Sequence, residues 1–456
     1  MRTFLIRLVL GAMFLLLFSS HVNATMNVVA LSGGGRHTCA FTEASSVLCW
    51  GLNADGQLGD GTNDSSSLPV DVAGLNEGVS GVSAGLTHTC AVTTTGIARC
   101  WGENGGRLGN GSEEASAVPV DVCADATCSS ALNNVASIAA GGFHSCAVLN
   151  DGTVLCWGND EDGQLGDGTT VDSLTPVVVS GLADVLSVSL GTSSSCALTS
   201  GGAVFCWGSN VEGQIGDNRA CGMRCPLPRQ VSGFESGVAQ VDSGGLHACA
   251  LTDAGAVLCW GFNFDGQVGD GTEDNIRIVP TQVFGLEDGV DAVSVGGGFR
   301  GHACALLADG TLRCWGDNDV GQVGDGTTED RIAPVVVPEL EGVTYIAAGD
   351  AQMCAMTGAL EIFCWGGNGA GQLGDGSTSD RLTPVRSLIG KTPASVIGDA
   401  NCDGEVSSMD AALILQFTAG LLGDLPCNAD ANGDGNIDAI DAALVLQFTA
   451  GLLESL

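Results

Sequence analysis

This sequence is poor in positive charge, in tyrosine and in long apolar stretches. Fifteen Lys and Arg stand against 52 Asp and Glu, a formal net charge of −37 over 456 residues, and Lys391 is the sole lysine. A chain this acidic repels nucleic acid and anionic lipid, so a phosphate-backbone binder is excluded as the leading reading. One tyrosine and 5% aromatic residues argue against a core packed chiefly with large rings. Outside the stretch 8–18, itself too short to span a bilayer comfortably, no apolar run is long enough for a membrane span. Catalytic signatures are also missing: there is no Gly-x-Ser-x-Gly elbow and no His-Glu-x-x-His. Carboxylates are abundant enough for a glycosidase pair, yet nothing in the sequence singles one out.

Residues 1–24 read as a secretory signal. Arg2 and Arg7 give the basic start, 8–18 the apolar core, and Val22-Asn23-Ala24 the small residues before cleavage, so a mature chain from Thr25 is expected. An uncleaved anchor is the alternative. Twenty cysteines then suit an oxidising, extracellular or cell-surface location.

What the chain has in abundance is a repeat. A Cys-Trp-Gly triplet begins at Cys49, Cys100, Cys156, Cys206, Cys259, Cys314 and Cys364, and it holds all seven tryptophans. Ten residues upstream of each lies a partner: Cys39, Cys90, Cys146, Cys196, Cys249, Cys304 and Cys354. Between Cys146 and Cys156 lies the turn Asn150-Asp151-Gly152, which reads as a β-hairpin and sets Cys146 opposite Cys156. Facing Cα atoms roughly 4.5–5.5 Å apart suit a cross-strand disulfide, so the spacing predicts seven stapled hairpins. The hairpin strands are apolar on both faces and need cover on both sides. Seven blades of four short strands in a ring, a β-propeller, would supply it.

A glycine-rich turn follows each hairpin, Gly163-Gln164-Leu165-Gly166-Asp167-Gly168 in the third copy, and then a Pro-Val strand. With its Gly-x-x-His entry, the repeat resembles the regulator of chromosome condensation repeat family over roughly residues 27–388. That resemblance implies a seven-bladed propeller; it does not fix a function.

Two insertions interrupt the ring, 123–134 and 218–230, and insertions are where binding specificity tends to sit. Cys123 with Cys128, and Cys221 with Cys225, read as local loop-closing disulfides; a metal site built from the four is the alternative. Arg219, Arg224 and Arg229 make the second insertion a basic spot. His37, His88, His144, His247 and His302 recur two residues before the first cysteine, with Ser194 and Gln352 in the other two copies. One histidine per blade keeps the rings too far apart for zinc, so a structural hydrogen bond within each blade is expected. The Gly-Asp-Gly turns carry one carboxylate each, too few for a phosphate or calcium loop. The second copy departs from the pattern with Arg107 for glutamine and Asn110 for aspartate.

Past a linker at 389–397, two copies of a 12-residue unit occur 31 residues apart. Oxygen-bearing residues fall at positions 1, 3, 5, 9 and 12 with glycine at 6, the pattern of a loop that wraps a hard cation. The candidate calcium ligands are Asp399, Asn401, Asp403, Glu405 (backbone carbonyl), Ser407 and Asp410 in the first loop. In the second they are Asp430, Asn432, Asp434, Asn436 (backbone carbonyl), Asp438 and Asp441. Each loop runs into a helix, and Leu413, Phe417 and Leu421 are expected on one face, with Gly420 and Gly451 at helix ends. This tandem, 398–456, closely resembles a type I-like dockerin module. The resemblance implies two calcium ions, a cohesin-like partner, and a partner-selecting role for Ser408, Met409, Ala439 and Ile440. Cys402 and Cys427 are expected to pair.

The sequence thus reads as signal peptide 1–24, an all-β seven-bladed β-propeller 25–388, linker 389–397 and a small all-α, calcium-loop domain 398–456. The expected function is a secreted, non-catalytic binding protein. The propeller would take another extracellular protein, a polysaccharide or a cell-surface ligand, and the tail a cohesin-like module. The alternatives are a carbohydrate-active enzyme carried by a dockerin and a propeller-type protein inhibitor.

Overall fold

The computed structural model describes residues 27–273, 275–298, 301–389, 400, 408–419, 429, 431 and 437–449. The leader, the start at Thr25, and most of the linker lie outside the described residues. Residues 27–389 form seven antiparallel four-stranded sheets, each taking all four strands from one repeat. In the third blade these are Val135–Ala140, His144–Leu149, Val154–Gly158 and Ser173–Val178, from the channel outwards. The inner strands of all seven line a central channel of about 510 Å³. Each outer strand carries proline, for example Pro69, Pro176 and Pro384. Proline has no N–H to offer a further strand, so it suits the edge that faces outwards and blunts pairing with other chains.

The hairpin register follows the turn. Cys146 faces Cys156 and Val148 faces Val154, and the same pairing recurs in every blade. The cysteine Cα atoms are 4.0–4.1 Å apart. That is tighter than the general expectation, because the pair sits at a non-hydrogen-bonded position, where strands approach most closely.

The Cys-Trp-Gly and Gly-Gln-Leu-Gly signatures turn out to be two halves of one joint. Every tryptophan is fully buried. Each Nε1–H donates to the main-chain carbonyl of the residue at the glutamine position in the preceding blade: Trp101 to Gln57, Trp157 to Arg107, Trp207 to Gln164, at 2.8–2.9 Å. The second glycine of that turn leaves room for the ring; a Cβ on Gly109 would lie 2.7 Å from Trp157. The glycine after each tryptophan has positive φ, +110° at Gly158, and a Cβ there would strike the backbone of the second strand. A second glycine row (Gly34, Gly85, Gly141, Gly191, Gly244, Gly296 and Gly349) forms a closed belt at one end of the channel. A Cβ on any of them would come within 2.3–2.8 Å of the next blade's carbonyl oxygen.

The ring closes by packing, with no strand shared between its ends. The first inner strand, Val28–Gly33, lies against Val343–Ala348 and Gln352–Thr357 of the seventh blade. Trp50 Nε1 and Thr38 Oγ1 both donate to the Gln372 carbonyl at 2.9 Å. The sole tyrosine, Tyr345, donates its hydroxyl to Leu31 O at 3.3 Å. Residues 27–31 and 384–388 contribute Val28, Leu31 and Val385 to one core cluster.

In the tail, two helices pack together: α1 (Ser408–Thr418) and α2 (Ala439–Thr449). The core pairs related residues of the two units, Ala400 with Ala431, Ala411 with Ala442 and Ile414 with Val445. The face that packs is carried chiefly by the smaller residues, with Leu413 at its margin. Leu413 and Phe417 are only half-buried, while Ala411 and Ile414 are buried; Leu421 and both terminal glycines lie outside the described residues. The helices are apolar almost all round, so spacing alone could not choose a face, and small alanines at the contact let the two axes approach.

Candidate functional site

The tail repeats one local construction twice. Asp410 and Asp441, each at position 12 of its loop, are fully buried in the first turn of their helices. Asp410 Oδ1 accepts the Ala400 N–H at 3.0 Å, and Asp441 Oδ1 accepts that of Ala431 at 2.9 Å, so each carboxylate ties position 2 to position 12. Asp441 Oδ2 also accepts the Asp438 N–H at 2.8 Å, while Asp438 Oδ1 accepts that of Ile440 at 2.7 Å. Asp438 thus caps the helix start through the Ile440 N–H, while Asp441 reaches back to the N–H of the capping residue, as in a capping box.

The donor chemistry fits calcium. Burying carboxylate charge is costly without a compensating cation, and residues 398–456 contain ten acids and no Lys, Arg or His. Of the sequence-derived ligands, Asp410, Asp438 and Asp441 are described. Asp399, Asn401, Asp403, Glu405, Ser407, Asp430, Asn432, Asp434 and Asn436 lie outside the described residues, as do Cys402 and Cys427. Ser408, Ala439 and Ile440 are exposed at the helix starts, and nothing is described for the Met409 side chain.

On the propeller the two insertions differ. Cys123 bonds Cys128, and residues 125–130 are exposed but carry no large apolar side chain. Cys221 bonds Cys225 in the second insertion, which exposes Met223 (69%) and Leu227 (46%), with Val211 (49%) exposed in the turn before it. Its backbone is held by Asp217, which accepts the N–H groups of Ala220 and Cys221. The expected basic spot is corrected in part. Arg224 pairs with Asp162 at 3.0 Å and Arg229 with Asp217 at 3.7 Å, since an acid-rich chain offers a carboxylate to almost any arginine. Arg219 instead donates to the Val211 carbonyl.

Three of the five histidines bond between blades, not within them as expected. His37 Nε2 meets Thr89 Oγ1, His88 meets Ser145 and His144 meets Ser195, at 2.7–2.8 Å. The second strand turns this side chain towards the neighbouring blade, where the residue after that blade's histidine position supplies the hydroxyl. Burial holds the imidazoles neutral, pushing His37 and His302 down to about 4 and His144 and His247 down to about 3.

The second blade's exceptions also gain an explanation. Arg107 pairs with Glu103 at 3.3 Å and lies 5.2 Å above the Phe143 ring. In the third and sixth blades the glutamine instead bonds Asn159 or Asp317 at the place of Glu103. The arginine answers the acid, and its carbonyl still accepts Trp157. Asn110 Oδ1 accepts the Ser112 N–H as Asp60 Oδ1 accepts that of Thr62, so an amide oxygen suffices for the turn.

Sequence reasoning missed the channel wall. Asp242 accepts hydrogen bonds from Ser189 Oγ and Val295 N–H, both at 2.8 Å, and so links three blades. Desolvation raises its carboxyl above the usual range. Ser32, Ser83, Ser189 and Ser294 hold the same repeat position and accept N–H groups across neighbouring seams. One aspartate in a row of serines was the readable sign.

Three comparisons bear on identity. An RCC1-like domain matches residues 124–407, and regulator of chromosome condensation (RCC1) repeats match 28–57, 45–92 and 79–106. A dockerin type I domain matches 397–448. The chain is 31% identical over 340 residues to the ultraviolet-B receptor UVR8 of Arabidopsis thaliana, covering 72% of this chain and 74% of that one. It is 32% identical over 342 residues to the human E3 ubiquitin-protein ligase HERC2, covering 73% of this chain but 7% of the ligase. Among solved structures, yeast RCC1 (Prp20) bound to Kap60 superposes with a TM-score of 0.65 at 22% identity, over 80% of this chain and 85% of that one. Human WBSCR16 gives 0.63 at 23%, over 72% and 86%. With seven RCC1-type blades and a dockerin type I match behind them, this chain belongs to the RCC1-like domain family.

Proposed function

We propose that this protein is a secreted, non-catalytic binding protein, tethered through a calcium-loaded tail. The observation that carries the reading is the duplicated tail: two buried position-12 aspartates, Asp410 and Asp441, in a segment without a single base. Two calcium ions would be held by the twelve loop residues named above and would neutralise their mutual repulsion, so that loops and helices fold together. The domain limits given above, 25–388 for the ring and 398–456 for the tail, belong to this proposal. The exposed Ser408, Ala439 and Ile440, with Met409, would meet a cohesin-type module. The dockerin type I match supports both calcium and attachment.

Export is supported by the basic-apolar leader and by nine disulfides among the described residues. The propeller would be the recognition module, and its second insertion the better contact surface, because apolar side chains are exposed there on a disulfide-braced loop. A polysaccharide or a surface protein would be its ligand.

The test is a pull-down with the full chain against the secreted and surface proteins of the producing organism, in calcium and in EGTA. A cohesin-bearing partner retained only in calcium supports the reading. No such partner for a calcium-loaded chain refutes the attachment role.

A further inference from the structure

The polar seams between blades are not even around the ring, and their gaps fall together. In the seams from blade one to blade four, histidine meets a hydroxyl: His37 with Thr89, His88 with Ser145, His144 with Ser195. Those hydroxyls pass a hydrogen bond on to the glutamine-position carbonyl of the preceding blade: Thr89 to Gln57 O, Ser145 to Arg107 O, Ser195 to Gln164 O, at 2.9–3.0 Å. The closing seam has Thr38 on Gln372 O, and Gln352 Nε2 on Gly34 O and His37 O.

Beyond the fourth blade the hydroxyls are replaced by Ala248, Ala303 and Met353. His247 and His302 are 2% and 0% exposed, and neither ring nitrogen of either residue has a hydrogen-bond partner among the described residues. A buried, unpaired polar group bears its full desolvation penalty, which water would relieve if the seam parted. These seams remain joined at two other radii. Trp315 and Trp365 clasp the outer side, while Asp242, Gln240 and Ser294 bond across the inner side. What they lack is the middle layer.

We infer that the propeller has one openable side, the seams between blades five and six and between six and seven, where the ring parts before it unfolds as a whole. Opening exchanges two unpaired imidazoles for hydrated ones, whereas opening the seams of the first four blades breaks a complete relay. Partial opening of a few contiguous elements is the general way in which folded domains fluctuate.

Hydrogen exchange on the full chain, in calcium, tests this. Amides in the second strands His247–Thr252 and His302–Leu307 should exchange through smaller openings than those in His88–Thr93 and His144–Leu149. Ala303→Ser gives His247 the partner that Ser145 gives His88, and should slow exchange at the five–six seam about tenfold without affecting the first three blades. Thr89→Ala removes the relay at the first seam and should speed exchange there by a similar factor. Equal exchange in all seven second strands, or an Ala303→Ser ring that exchanges as before, overturns the inference.

Discussion

The five buried histidines make the propeller acid-sensitive by an amount that can be worked out. For His247 the unfolded chain has an ordinary imidazole, near 6.5, whereas burial holds the folded one down to about 3. Below about pH 6.5 the unfolded state therefore binds a proton that the folded state refuses, and stability falls with pH until the folded value is reached. At about pH 5 that deficit is roughly 1.5 pH units, or about 2 kcal/mol for this one residue. His37, His144 and His302 follow the same sign with values of about 4, about 3 and about 4, and His88 is also pushed well down by burial. The four with values of about 3 or 4 would sum to about 8 kcal/mol at about pH 5, comparable with the whole stability of a domain, and His88 acts in the same direction. Asp160 and Asp317, raised by burial to about 6, act with the opposite sign and offset part of the loss. A single substitution isolates one term. Gln352 occupies this place in the seventh blade, so His247→Gln uses a side chain the fold already accepts. Urea unfolding followed by the seven buried tryptophans, at about pH 8 and about pH 5 with calcium held constant, gives the two stabilities. The variant should lose about 2 kcal/mol less than the wild type over that interval and match it within about 1 kcal/mol at the higher pH. Parallel losses in the two proteins would refute the reasoning, because the histidine would then carry no proton-linked cost.

Four further outcomes are expected. In EGTA the amides of α1 and α2 should exchange at nearly unprotected rates while the propeller stays protected, and Asp441→Ala should weaken calcium binding at one of two sites, as read by titration calorimetry. Replacing Cys146 and Cys156 together by serine should lower stability by about 2–3 kcal/mol, as measured by urea midpoint, since the closed loop restrains the unfolded chain. Gly85→Ala should cost about 1–3 kcal/mol or more, because its Cβ would lie 2.5 Å from the Gly141 carbonyl in a closed belt. Gly81→Ala, which meets nothing within 4 Å, serves as its neutral control in the same thermal melts.

Much of the blade was legible because its determinants are local. The ten-residue cysteine spacing and the Asn150-Asp151-Gly152 turn fix one register, and the structure has Cys146 opposite Cys156. The seven triplets fix the number of blades, since each repeat closes its own sheet. The tail was legible as a module for a related reason: a hard cation needs several oxygens within a dozen residues, and that pattern lies inside the dockerin type I match at 397–448. What stayed hidden is what crosses from one repeat to the next. The partner of His37 is Thr89, 52 residues away, and no spacing within a repeat marks that hydroxyl.

Comparing repeats at equivalent positions recovers part of this. Thr38, Thr89, Ser145 and Ser195 against Ala248, Ala303 and Met353 form a visible break in the column after the histidine, and Arg107 appears only where Glu103 does. Such columns gain meaning only once the ring tells which residue faces which. A tandem repeat thus writes its blades in the pattern the copies share, and its seams in the places where they differ. In this chain the differences gather on one side. His247 and His302 face carbon, whereas Gln352 and Tyr345 strengthen the seam where the two ends of the ring meet. That arrangement is what a ring closed without a shared strand requires. The end-to-end seam has no covalent or ladder continuity, so it needs the added hydrogen bonds most, and the chain can tolerate the missing middle layer where the backbone runs on from blade to blade.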